Sequence, residues 1–356
     1  MSESALTSRF PSPEETMRHP AFRSAVWALE PHSAGKLAVA KDRGGPIDIY
    51  WEVHGSGPTK LVFLMGLGGT LTSWQMQTLH FGHGHADEYS VLVLDNRGVG
   101  RSDKPLGRYT TSEMARDTME LVDHVGWTAP RQINLVGISM GGMIAQEVAC
   151  LAPGRVQSLS LICTSSRVES GKSLAGTAWD RVGLFLRPKS ESRAIEDTAA
   201  SIFPPAFLAA RDAFELPSPA ATPRCGPAPG TPDPDGEYPR FASNFQRFQA
   251  QELHKRRAPG HFTRLGFLCQ LVAAAGHSKT PAQLAAMADE VGRDRILVMH
   301  GTRDEMLVVQ NGERLIRALE PGVAMIVDGL GHAPIFERTA WFNELLHEKL
   351  AGWAKL

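Results

Sequence analysis

Hydrophobic positions along the chain follow two different rhythms. Lys36–Lys41 and Ile47–Val53 alternate apolar and polar residues around Gly44-Gly45-Pro46, which predicts an antiparallel hairpin. Leu61–Met65, Tyr89–Leu94, Ile133–Ile138 and Val156–Cys163 are nearly continuous apolar runs, as strands covered on both faces must be. Helical spacing appears between them, from about Thr72 to Leu79, Thr111 to Trp127 and Gly141 to Ala152. Thr111 or Ser112 can cap the second helix, with Met114, Thr118, Leu121, Val122 and Val125 as its apolar face. Buried strands alternating with amphipathic helices predict an α/β fold with a mostly parallel central sheet and helices on both sides.

The rhythm breaks at about Thr164 and resumes with Ile296–His300, a helix from Val309 to Leu319, the strand Val323–Val327 and a closing helix from Trp341 to Trp353. The core is therefore expected in two parts, 34–165 and 291–356, with 166–290 as a helical cap inserted between strands. Within that insertion, 217–239 is dense in Pro, Gly, Ala and Asp, a composition that predicts a poorly ordered loop. Residues 1–33 carry Ser, Glu, Arg and Pro with no sustained apolar run, and are expected as a tail or loosely docked arm.

Composition adds exclusions. A net charge of -1 over 356 residues gives no electrostatic reason to expect a nucleic-acid partner. No window has the length and apolarity of a membrane span, and the first residues show no signal peptide. Cys150, Cys163, Cys225 and Cys269 are widely spaced, two of them in apolar segments, so reduced thiols in an intracellular protein are expected. The final Ala354-Lys355-Leu356 resembles a receptor-read peroxisomal address, leaving peroxisome or cytoplasm as the expected compartment. Oligomeric state has no signature in the sequence.

Chemistry concentrates at the ends of the predicted strands. Ile133–Ile138 runs into Gly137-Ile138-Ser139-Met140-Gly141, a G-x-S-x-G turn between strand and helix that would hold the Ser139 hydroxyl above the sheet. A serine needs a base oriented by a third group. Asp304 lies a few residues past Ile296–His300, and His332 sits in Gly329-Leu330-Gly331-His332-Ala333 after Val323–Val327. Open α/β sheets build their sites at this edge. His80, His83 and His85 crowd a Gly-rich turn; an exposed loop is expected there rather than a metal site, and no metal or cofactor is expected elsewhere. Asp95, Arg97 and Ser102 are read as ties for the loop after their strand, and His300 as packing at a strand end. Aromatic residues of the insertion, among them Trp179, Phe185, Phe203, Phe207, Phe241, Phe245 and Phe248, would either line an apolar pocket or form its core, and His261 and His277 lie among them.

Several motifs in one order carry a family resemblance: Met65-Gly66-Leu67-Gly68-Gly69, Asp95-x-Arg97-Gly98-x-Gly100-x-Ser102, Gly137-x-Ser139-x-Gly141, Gly301-x-x-Asp304 and Gly331-His332-Ala333. The chain resembles the α/β-hydrolase fold, in its branch with a helical cap, over roughly 35–165 and 290–353. The resemblance implies Ser139 as nucleophile, Asp304 as orienting acid, His332 as base, and an oxyanion hole from the backbone N–H groups of Leu67 and Met140. It implies a lipase-like serine esterase, taking a carboxylic ester or lactone of a small apolar molecule. A C–C bond hydrolase, a perhydrolase-like enzyme and a low-turnover ligand receptor keep the same triad. Met65-Gly66 replaces the family's usual His-Gly, a pairing similar to that of small-molecule esterases. Leu67 and Ser139 do not match the residues that dehalogenases and epoxide hydrolases place there.

Overall fold

The computed structural model describes residues 10–167, 189–230 and 236–356. Eight strands form one sheet: β1 (Ser33–Val39), β2 (Ile47–His54), β3 (Thr59–Leu64), β4 (Tyr89–Leu94), β5 (Ile133–Ile138), β6 (Val156–Ile162), β7 (Ile296–Gly301) and β8 (Val323–Val327). Their order is β1-β2-β4-β3-β5-β6-β7-β8. β2 pairs antiparallel with both β1 and β4, and every other pair is parallel. This is the α/β-hydrolase arrangement expected from the sequence.

Strand periodicity decides which residues face which layer. Val62, Leu64, Leu92, Leu94 and Leu135 turn to one side of the sheet, and Leu61, Phe63, Val91, Val93 and Val136 to the other. The first side is covered by α2 (Thr111–His124), α3 (Met140–Leu151), α7 (Pro281–Val291) and α8 (Gln310–Leu319), through Leu121, Ile144, Met287 and Leu315. The second side is covered by an irregular helical segment, 71–84, and by α10 (Thr339–Trp353), through Trp74, Phe81, Phe342 and Leu346. Each inner strand is thus sealed on both faces, which is why its sequence reads as an unbroken apolar run.

The described part of the insertion between β6 and β7 contains α4 (Glu191–Ile202), α5 (Asn244–Arg257) and α6 (Arg264–Ala275), with α7 returning to the core. Trp179 and Phe185 lie outside the described residues. Among the described residues, no helix is long and apolar enough to cross a membrane.

Two stretches differ from their expectations. Residues 10–33 pack against the insertion rather than lying loose. Ser12 and Glu15 close a capping box on α1 (Pro13–Arg18), Phe10 stacks on Phe245 at 4.0 Å, and Thr16 hydrogen-bonds Gln249. The described part of the Pro- and Gly-rich stretch, 217–230 and 236–239, is folded onto that arm. Gly226 N–H donates to Ala28 O (2.8 Å), Glu30 N–H to Arg224 O (2.8 Å), and Ala28 N–H to the Tyr238 hydroxyl (3.1 Å). Trp27, Met76, Leu79, Ala228 and Tyr238 form a small apolar cluster. Composition alone missed this because the stretch supplies few apolar residues and its cover comes from the distant arm.

The three clustered histidines also depart from an exposed loop. They lie on a π-helical turn, Thr78–Gly84, and just after it. His83 is buried and hydrogen-bonds His54 (3.0 Å) and Pro223 O (2.6 Å), while His80 and His85 turn toward α10.

Candidate active site

Ser139 sits between β5 and α3 with φ 56° and ψ -124°, outside the regions a non-glycine residue ordinarily adopts. Its neighbours enforce this. A Cβ on Gly141 would lie 1.9 Å from Leu64 O, and one on Gly137 would lie 2.4 Å from Gly141 O. Only glycine at both positions lets the turn pack against the end of β3. Three groups then hold the Ser139 carbonyl: the N–H groups of Gly142 (3.0 Å) and Met143 (3.2 Å) and the Thr164 hydroxyl (2.6 Å). Met140 is the first residue of α3, where a helix offers its N–H no internal acceptor.

The loop after β3 passes directly beside Ser139. A Cβ on Gly66 would come within 2.9 Å of the Ser139 Cβ and 3.5 Å of its Oγ, so glycine there brings Gly66-Leu67 against the hydroxyl. This loop is tied down from several directions. Asn96 Nδ2 donates to Met65 O (3.1 Å), Gly68 N–H donates to Gln270 Oε1 (2.8 Å), and Lys255 Nζ donates to Gly68 O (3.0 Å). Leu71 N–H donates to Asp95 Oδ1 (2.8 Å). Asp95 is buried, and burial pushes its carboxyl up to about 6 against the pull of the Arg101 and Leu71 N–H groups. Ser102 Oγ donates to Asp95 O (2.6 Å), and Arg97 makes a two-pronged, buried ion pair with Asp117 (2.7 Å and 2.7 Å).

Asp304 follows β7 and is buried. Its Oδ1 accepts the N–H groups of Met306 (2.9 Å) and Leu307 (2.8 Å), and its Oδ2 accepts His332 Nδ1 at 2.7 Å. Burial acts to raise this carboxyl. The charge of His332 and hydrogen bonds from His300 and His332 outweigh it and hold Asp304 at about 2. Nδ1 as donor leaves His332 Nε2 as the nitrogen that can take a proton. His332 N–H in turn donates to Ile202 O (2.7 Å), at the end of α4. Glu305 is exposed beside the buried Asp304.

Asp304 and His332 are therefore bonded, and Ser139 lies at the same sheet edge against the Gly66-Leu67 loop. The family model described as alpha/beta hydrolase fold matches residues 60–339. The chain belongs to the α/β-hydrolase fold family. It is 30% identical over 148 residues to 3-oxoadipate enol-lactonase 2 of Acinetobacter baylyi, covering 42% of this chain and 51% of that protein. Over 308 residues it is 26% identical to the dihydrolipoyllysine-residue acetyltransferase component of the acetoin cleaving system of Cupriavidus necator, covering 86% of this chain and 67% of that one. The matches span only 35–58% of the length of the first curated relatives. Among solved structures, a thermophilic esterase from Thermogutta terrifontis superposes with TM-score 0.65 at 21% identity, covering 90% of this chain and 99% of that one, a likeness of fold.

Two residues around the α/β-hydrolase motifs escape sequence reading. His300 is not merely packed at a strand end: its Nε2 lies 2.7 Å from Leu307 O and 3.1 Å from Asp304 Oδ2. The carbonyl requires a proton on Nε2, so His300 is a donor facing the carboxylate. Its position four residues before Asp304 was the available signal. Gln270 carried none, because only the fold brings α6 to the Gly66–Thr70 loop. His277, expected among insertion residues of the pocket or its core, instead hydrogen-bonds Thr111 of α2 (3.0 Å).

Proposed function

We propose that this α/β-hydrolase cleaves a carboxylic ester or lactone of a small, largely apolar molecule through an acyl-enzyme on Ser139. The observation that carries the reading is the 2.7 Å bond from His332 Nδ1 to Asp304 Oδ2, at the sheet edge where the G-x-S-x-G serine stands. His332 Nε2 takes the Ser139 proton as Oγ attacks the carbonyl carbon. The oxyanion is held by the N–H groups of Leu67 and Met140. Collapse expels the alcohol, which takes the proton back from His332, and leaves the acyl group on Oγ. Water, deprotonated by His332, then releases the acid and restores the serine. For a lactone the alcohol and acid remain one molecule. The insertion, read as a cap, supplies the apolar walls that choose the substrate.

A fluorophosphonate probe combined with a turnover assay over acyl esters, aryl methyl esters and lactones tests the assignment. Wild-type protein should label and turn over repeatedly, and Ser139→Ala should do neither. Asp304→Asn should lower kcat by about 10⁴, the scale seen where the acid sets the histidine tautomer, while Glu305→Gln should change it little. Turnover retained by Ser139→Ala would refute the nucleophile. Labelling without repeated turnover would mark a receptor instead.

A further inference from the structure

We infer that His80, His85 and His347 form a binding site for a divalent transition-metal ion, at the sheet edge opposite Ser139. The three side chains come from two elements. His80 lies in the π-helical turn Thr78–Gly84, His85 caps it, and His347 comes from α10. The wide winding of this turn sends His85 N–H to His80 O (3.0 Å). The His85 ring centroid lies 4.9 Å from those of both His80 and His347. One ring nitrogen from each residue falls within 4.8 Å of the others. Zinc–nitrogen bonds of about 2.0–2.1 Å require tetrahedral nitrogens roughly 3.3 Å apart, so modest side-chain rotations close the set.

Two further observations point to a ligand. His80 Nε2 is buried without a hydrogen-bond partner, an unspent ring nitrogen on one of the three cluster residues. Glu88 lies alongside, its carboxylate oxygens 3.2 Å from His85 Nδ1 and 3.8 Å from His347 Nε2, outside the ligand set itself. Three imidazoles match zinc, copper or nickel rather than calcium or magnesium, which prefer all-oxygen shells. His85 and His347 are partly exposed, so an ion can enter.

The placement argues for a structural role. Glu88 immediately precedes β4, whereas Ser139 follows the far end of β5, which runs parallel to β4 on the other side of β3. Six residues of strand separate the two edges by roughly 17–20 Å. A bound ion would not reach the acyl chemistry. It would clamp the 71–84 segment to α10 over the Phe81 side of the core.

Titration of metal-free protein with zinc chloride should show one ion per chain and raise the melting temperature by about 3–5 °C at 100-fold excess over Kd. Cobalt chloride should give the visible d–d absorption of a tetrahedral nitrogen-rich site. His347→Gln and His85→Gln, two surface substitutions, should each weaken binding at least tenfold and abolish the thermal shift without changing basal turnover. His124→Gln, elsewhere on the surface, should bind as wild type does. Absence of stoichiometric binding overturns the site. So does unchanged binding in both cluster variants, or binding that survives in them and disappears in His332→Ala, which would place the ion on Cys163, Asp304 and His332 instead.

Discussion

Glu337 accepts the Gly331 N–H with both carboxylate oxygens, at 3.0 Å each, and so braces the residue before His332. Burial pushes its carboxyl up to about 7, against the opposing pull of the Gly331 and Ala333 N–H groups. A folded value above the unfolded 4.5 means that Glu337 favours folding most below about pH 4.5. That contribution is lost as pH rises through about 7. Asp304 has the opposite sign: held at about 2, it stabilises above its unfolded 3.8 and loses that as pH falls. The windows do not overlap. Glu337→Gln keeps a carbonyl for Gly331 N–H but cannot ionise, so urea denaturation should show a flatter stability profile between pH 4.5 and 7. An unchanged slope there would dissociate Glu337 from the titration. The placement of Ser139, Asp304 and His332 at one sheet edge was legible because each follows a strand in a glycine-containing loop. Glu337 and His300 were not, since their partners are set by how the loops fold back.

Elements were legible where both faces of a strand or one face of a helix are buried. β3 to β7 and α2 announce themselves by period, and α10 begins two residues before its expected start at Trp341. The 71–84 segment mixes 3-10, α and π turns and defeats a single period. The insertion was legible as an interruption but not in what it touches. Its α6 carries Gln270, which accepts from Gly68 N–H and donates to Arg97 O (2.9 Å), joining two loops of the core. Gln270→Met keeps the volume and removes both bonds. On the proposed mechanism it should loosen the Gly66–Thr70 loop beside Ser139 and lower kcat on the order of tenfold, with less change in KM. A fall in melting temperature with unchanged kcat would assign Gln270 to stability alone.

At the scale of the molecule, the arm and the Pro-rich loop form a third layer that neither reveals by itself. Trp27 is 6% exposed and Tyr238 3% exposed, each covered by chain about two hundred residues away. Low apolar density in both segments predicted looseness, and long-range pairing supplied what local composition lacked. Trp27→Ala should cost about 3–5 kcal/mol, the scale of a buried Trp truncation, and lower the melting temperature. A neutral result would mean that the arm detaches freely in solution.

The insertion grips the sheet edge that carries Ser139 and His332 at both margins, through Ile202 O on His332 N–H and through Gln270 and Lys255 on Gly68. On the proposed function, recognition and chemistry are therefore not separable modules in this chain. Transplanting a foreign insertion to change substrate preference would cut these three anchors at once and leave a well-folded sheet with slack machinery. A chimera succeeds only if the graft brings an acceptor for the His332 amide and a glutamine opposite Gly68. The inheritance of new specificity in such a scaffold would then run through point changes inside the insertion, not through its wholesale exchange.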